Sequence, residues 1–289
     1  MKLPNLHNDR EIFITSIENA AIQYGFSNRL VEKDYYCSLI LGYLYQQNNE
    51  EIIFKGGTCL NKVYAGFYRM SEDLDFSIST EIDSKRAQRR RMIEPYKGIV
   101  ALIEKTVPEL TLSQPLKGYN DSTQYVSYLE YKSVVTGTSE RIKIEIGLRE
   151  PSLDIPVTMK ADTLIEDPFS GEKIDLTVTC MSLQEVYAEK VRAALTRREP
   201  AIRDFYDIWY AVNHELIDEE DKKFISLINK KLSVPGTDVP SISNEKGIIL
   251  QRQIETELKT VLRPNDFKVF QLEEALHIIE KIYNNAGVV

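Results

Sequence analysis

Apolar and polar positions along the chain fall into two regimes. From residue 9 to about 48 the spacing is helical. Ile12, Ile14, Ile17 and Ala20 recur at roughly one face of a first helix that Asn8 or Asp9 can cap, and a second helix spans about 29–47. A short apolar run, Ile52 to Phe54, then enters a glycine pair, and a helix begins near Thr58. Asp73 to Ser79 alternates with period two, so Asp73, Asp75 and Ser77 share one face of a strand and Leu74, Phe76 and Ile78 the other. The pattern predicts a long helix around 83–106 and a hairpin of two strands, Gln124 to Ser133 and Arg141 to Leu148, with its turn at Thr136 to Ser139. Pro151, Pro156, Pro168 and Gly171 break up the next stretch of chain. From Ser182 the pattern is helical to the end apart from a Pro/Gly/Ser-rich loop at 233–247. The expected fold is α+β: a small mixed sheet with flanking helices over residues 1–178, followed by a helical C-terminal domain over 179–289.

Composition adds exclusions. With 43% hydrophobic and 28% charged residues the chain can bury a sizeable core. No run approaches the ~18 apolar residues of a membrane span and the N-terminus lacks the form of a signal peptide, so a cytoplasmic, soluble protein is expected. Cys37, Cys59 and Cys180 form no CxxC pair and read as buried small hydrophobes; His7, His214 and His277 fit no zinc spacing. Carboxylates are left to carry the chemistry. The net charge of −8 gives no global sign of a nucleic-acid binder, yet Lys85, Arg86, Arg89, Arg90, Arg91 and Lys97 make a local basic run. It is either a solvated helix face or a surface for an RNA phosphate backbone.

Two carboxylates at i and i+2 of a strand repel one another unless a cation sits between them, and magnesium, which takes oxygen ligands and substrate phosphates, is the natural one. The alternative is a solvated strand face. Upstream, Gly56 and Gly57 let backbone approach a ligand, and Thr58 opens a helix whose N–H groups favour a phosphate. The order of strand, GGT, helix and DxD strand sets a triphosphate cradle beside a divalent-metal site. Arg69 can contact a phosphate or base, or be a surface arginine.

In SLQEVYAEKVRAALTRREPAIRDFYDIWY, Ser182 and Glu185 form a capping box. Leu183, Val186, Tyr187 and Ala194 define an inward stripe with Lys190 in its middle. A buried ammonium requires an anion, which is a protein carboxylate or a nucleotide phosphate unless the lysine snorkels to solvent. In the next helix Phe205, Ile208, Trp209 and Val212 face the core, Asp204 borders that face as a candidate partner for Lys190, and Asp207 is expected further out.

Through FKGGTCLNKVYAGFYRMSEDLDFSI the chain resembles the DNA polymerase beta-type nucleotidyltransferases. Through this segment, EKDYY at 32–36 and the later lysine with its RDxxD, it resembles more closely the AbiEii/AbiGii toxins of type IV toxin–antitoxin and abortive-infection systems. The resemblance covers roughly residues 30–210. It implies transfer of NMP from an NTP with Mg²⁺, with a tRNA 3′ end as acceptor, growth arrest as the consequence in phage defence, and a cognate antitoxin as partner. It also implies a third acid from a neighbouring strand. In RIKIEIGLR, where Ile142, Ile144 and Ile146 form the core face, Glu145 is the residue offered, as a third metal ligand, a general base or an exposed strand glutamate. Lys190, Arg203, Asp204 and Asp207 match the lysine and RDxxD motif, with Lys190 on the triphosphate and Asp204 in orientation or proton transfer. The alternative is that Lys190 and Asp204 only pin structure together. Lys33 and Asp34 match the EKDYY element, closing the site or forming an internal ion pair. The basic run, with Arg89, Arg90 and Arg91, would hold an RNA acceptor, and two other readings stay open: a protein hydroxyl as acceptor, and a catalytically silent module that binds nucleotide or RNA.

Overall fold

A computed structural model describes residues 5–47, 51–241 and 244–287. Helix α1 (Arg10–Tyr24) begins at Asp9, whose side chain accepts from the N–H groups of Glu11 and Ile12, and ends at Gly25 in the left-handed conformation. In α2 (Asn28–Gln46) every residue from Leu30 to Leu44 is buried, including Glu32, Lys33 and Asp34. A helix buried all round belongs to the core, so its charged residues must be answered by partners.

The strands among the described residues form one mixed sheet, β1 (Ile52–Lys55), β2 (Leu74–Ile78), β3 (Thr111–Tyr119), β4 (Gln124–Lys132), β5 (Ser139–Gly147), β6 (Val157–Ala161) and β7 (Leu176–Cys180), in the order β3-β4-β5-β2-β1-β7-β6. β2 runs antiparallel to β1 and parallel to β5, and β1 is parallel to β7. This makes seven strands where the sequence suggested a small sheet. The three added strands have physical reasons to be hidden in the pattern. β3 is an edge strand with polar residues on both faces and Pro115 within it, and β6 is an edge strand exposed along most of its length. β7 alternates cleanly, but it is brief and comes after the stretch broken by Pro168 and Gly171.

Between β1 and β2 the chain makes one α-turn, α3 (Gly56–Cys59), which widens into a π-helical segment over Leu60–Tyr64. The predicted long helix is α4 (Arg86–Ala101) with a separate turn, α5 (Ile103–Thr106).

Two compact units emerge, one of residues 1–152 and 156–181, the other of residues 153–155 and 182–289. The second is helical: α6 (Leu183–Thr196), α7 (Ile202–Asn213), α8 (Lys222–Leu232), α9 (Asn244–Gln253), α10 (Pro264–Val269) and α11 (Leu272–Ala286). Ser182 caps α6 by accepting from the Glu185 N–H, but the capping box is only half formed. The Glu185 carboxylate instead accepts from the N–H groups of Leu153 and Asp154 and pairs with fully buried Lys231 at 2.7 Å. None of the described helices is long and apolar enough to cross a membrane.

Candidate active site

β1 is an apolar buried strand whose last residue, Lys55, lies opposite Asp75 of β2. The chain then turns at Gly56, where φ is +75°, a conformation that disfavours any side chain. A Cβ placed on Gly56 would lie 2.6 Å from Asp75 Oδ2, and one on Gly57 would lie 2.6 Å from Arg69 Nη2 and 2.9 Å from Ser71 Oγ. The glycine turn is therefore wedged between the second aspartate of DxD and a buried arginine. Thr58 donates its hydroxyl to the Asp73 carbonyl, fastening the same turn to the start of β2.

Arg69 is 2% exposed, which removes the surface-arginine reading, and its Nη1 donates to the Met70 carbonyl at 2.8 Å. Its guanidinium lies under the Gly57 backbone and braces the turn from within the fold.

Asp75 and Glu145 face each other across the parallel pair of β2 and β5. Burial first, then the charges of Glu145 and Asp73, push the Asp75 carboxyl up to about 6, against the pull of Lys143 and Lys55. Glu145 is spoken for on both oxygens: Gln124 donates to Oε1 at 2.7 Å and Lys143, two residues earlier on the same strand face, lies 2.5 Å from Oε2. Burial would lower Lys143, but the hydrogen bond and charge of Glu145, with Asp75 and Asp73 behind it, hold it above its ordinary value. Among the described residues no three His, Cys, Asp or Glu side chains are arranged to hold a metal ion together. Lys143 and Gln124 thus hold the two oxygens of the Glu145 carboxylate that lies opposite Asp75.

The two EKDYY residues have separate partners on either side of this turn. Lys33 lies 2.7 Å from Glu72, the residue before Asp73, and Arg29 lies 3.0 Å from the same carboxylate. Asp34 lies 2.7 Å from Lys62 in the π-helical segment, and Lys62 also donates to Ser38 Oγ at 2.9 Å. Burial outweighs Lys62 and leaves the Asp34 carboxyl above its usual range. Helix α2 therefore grips the chain just before DxD and just after GGT. Lys62, Glu72, Ser71 and Gln124 were not picked out from the sequence. Lys62 carried a signal, since it is a lysine one turn beyond Thr58 in a mostly apolar stretch.

Within the second unit, Lys190 lies 2.7 Å from Asp204 and 3.0 Å from Asp207, and Arg197 lies 2.8 Å from Asp204. Asp207 is fully buried, not turned outward as the helical spacing suggested. Residues i and i+3 of α7 sit side by side, and the pair of carboxylates flanks one ammonium. Arg203 is half-buried on the same helix. In the basic run, Arg90 and Arg91 are exposed, whereas Arg89 donates to the backbone carbonyls of Ser84 and Asp121.

A glycine turn pressed onto a strand that carries one aspartate, Asp75, and follows another, Asp73, in a mixed sheet backed by a buried helix, is the arrangement of a nucleotidyltransferase. The chain belongs to the AbiEii family, the nucleotidyl transferase toxins of type IV toxin–antitoxin systems, whose model matches residues 42–284. The fold is similar to that of JHP933 from Helicobacter pylori, with a TM-score of 0.53 at 16% identity over 91% of this chain and 94% of that one. It is likewise similar to a candidate nucleotidyltransferase from the same organism, with a TM-score of 0.52 at 15% identity over 91% and 96% of the two chains. No curated protein sequence matches this chain.

Proposed function

We propose that this nucleotidyltransferase toxin uses Mg²⁺ to transfer NMP from an NTP to the 3′ end of a tRNA in the cytoplasm, arresting growth in defence against phage until a cognate antitoxin restrains it. The observation that carries the reading is the contact of the glycine turn with Asp75. A turn free of side chains lies where a triphosphate can be held beside the acidic pair.

The residues fit the ion. Burial and the charges of Glu145 and Asp73 outweigh Lys143 and Lys55 at the Asp75 carboxyl, so a divalent cation would add the counter-charge that these lysines supply only in part. Magnesium is commonly held by one or two carboxylates together with substrate phosphates, which suits Asp73 and Asp75 with Glu145 beside them as further ligand or base. When bound, the ion would neutralise charge on the phosphates and on the leaving oxygen.

Gly56, Gly57 and the N–H of Thr58 are assigned to the β- and γ-phosphates. Arg69 supports them from beneath. The acceptor hydroxyl attacks the α-phosphorus in line: the new P–O bond forms, the α–β anhydride bond breaks, pyrophosphate leaves, and a carboxylate of the cluster takes the hydroxyl proton. Lys190 and Asp204 are assigned to triphosphate binding and to orientation or proton transfer, with Arg203 and Asp207 supporting them. This assignment rests on the family motif, whose lysine and two aspartates are paired with one another in the second unit.

The test is incubation of purified protein with each α-³²P-labelled NTP, Mg²⁺ and bacterial RNA, beside Asp73→Ala and Lys190→Ala. Label in tRNA-sized RNA that requires Asp73, Lys190 and the metal is expected. Label in protein instead would replace RNA by a protein hydroxyl, and label in neither would reduce the chain to a binding module.

A further inference from the structure

Three consecutive residues other than glycine, Asn120, Asp121 and Ser122, have positive φ values of 48°, 52° and 64°. Such backbone is strained and persists only where surrounding contacts over-determine it. Those contacts are present. Arg89 Nη2 donates to the Asp121 carbonyl at 3.3 Å, Thr123 Oγ1 donates to the Asn120 carbonyl at 2.7 Å, and Leu148 N donates to the Thr123 carbonyl at 2.8 Å. The turn delivers Gln124, the first residue of β4, opposite Gly147 of β5. Gly147 carries no side chain, so Gln124 can lean across the sheet face to its diagonal neighbour Glu145.

We propose that Asn120 and Gln124 form an amide relay that orients the Glu145 carboxylate toward the Asp73–Asp75 pair. Asn120 Nδ2 donates to Gln124 Oε1 at 3.1 Å, which fixes the sense of the glutamine amide, and Gln124 Nε2 then donates to Glu145 Oε1 at 2.7 Å. Lys143 holds Oε2 from the other side. An amide has one accepting and one donating end, so the Asn120 donor leaves only the donating end of Gln124 for Glu145. Gln124 and Asn120 are positioning residues: they act on the acidic cluster through Glu145. The inference rests on the proposed role of Glu145 in that cluster.

Partners of this kind shift metal affinity or turnover by about tenfold or more when removed. The full chain and its Gln124→Leu, Asn120→Asp, Asn120→Gly and Glu145→Gln variants are titrated with Mn²⁺ alone, reading free ion by electron paramagnetic resonance, alongside melting temperature and NMP transfer. Asn120→Asp keeps size and tolerance of positive φ but can only accept, so it turns the Gln124 amide around and presents an oxygen to Glu145. Asn120→Gly relieves backbone strain while deleting the donor. All four variants are expected to lose about tenfold in Mn²⁺ affinity and in kcat, with little change in the KM for NTP. The melting temperature of Asn120→Gly should hold or rise, so a merely structural role for Asn120 predicts the opposite of the binding loss.

Wild-type Mn²⁺ affinity in Asn120→Asp and Gln124→Leu, or in Glu145→Gln, overturns the relay. If the native chain transfers no nucleotide to any acceptor while the Mn²⁺ losses appear as stated, the relay stands and the reaction reading falls. If transfer proceeds and the variants match the native chain, the reverse holds.

Discussion

Glycine at 56 and glycine at 57 answer to different constraints. Gly56 is left-handed and its missing Cβ would collide with the Asp75 carboxylate, so alanine there adds backbone strain to displacement of that carboxylate. Gly57 meets the end of the Arg69 side chain and the Ser71 hydroxyl, which can give way at the cost of the brace. Gly56→Ala should lose about 1–3 kcal/mol in urea unfolding and nearly all transfer, and Gly57→Ala about 1 kcal/mol with partial activity. Equal transfer by Gly56→Ala and the native chain would remove the turn from the site. At this scale the sequence showed the two glycines and two aspartates plainly, because a GGT turn before an alternating DxD strand is a local pattern. It hid the burial of Arg69 and Asp207 and the role of Lys62, which depend on what tertiary neighbours supply: a carbonyl at Met70, an ammonium at Lys190, a carboxylate on α2.

Among the elements, the buried helix α2 and the β4–β5 hairpin show how charge replaces apolar contact at a junction. Glu32 of α2 accepts from Ser133 Oγ at 2.5 Å and from Val134 N at 2.7 Å in the connection between the two strands. Burial outweighs these donors and holds the Glu32 carboxyl above its ordinary value. The folded chain therefore binds that proton more tightly than the unfolded chain does. Its contribution to stability is complete below the unfolded value of 4.5 and is lost as pH rises through the raised folded value. Glu32→Gln does not titrate, so its stability relative to the native chain should improve steadily as pH rises from about 4.5 toward neutrality. Urea midpoints across that range check this; a constant difference would show that hydrogen bonds cancel burial, and one that moves the other way that they win over it. The hairpin itself was readable from alternation in both strands, and α2 from its spacing. The outer strands β3 and β6 were not, since an edge strand that faces solvent has no apolar face to alternate with.

For the molecule as a whole, an excess of 44 acidic over 36 basic residues opposes RNA unless basic charge is gathered in one place. α4 gathers it, but its arginines are not equivalent. Arg89 spends its donors on Ser84 and Asp121 and so belongs to the strained turn that leads to Gln124, while Arg90 and Arg91 stand exposed. If α4 receives an RNA backbone, Arg90→Glu with Arg91→Glu should weaken binding uniformly across RNA sequences. The same change should flatten the plot of log affinity against log salt by about 0.7 for each single-strand phosphate that is no longer neutralised. Arg89→Ala should change that slope less and lower the melting temperature instead, because its loss is felt by the turn. On that condition the basic run would join the acidic cluster through one chain of contacts: exposed arginines toward the acceptor, Arg89 bracing the turn, and two amides from the turn to the Glu145 carboxylate. An RNA affinity insensitive to salt in the native chain would break the first of these links and leave the others, shifting the search for the acceptor away from nucleic acid.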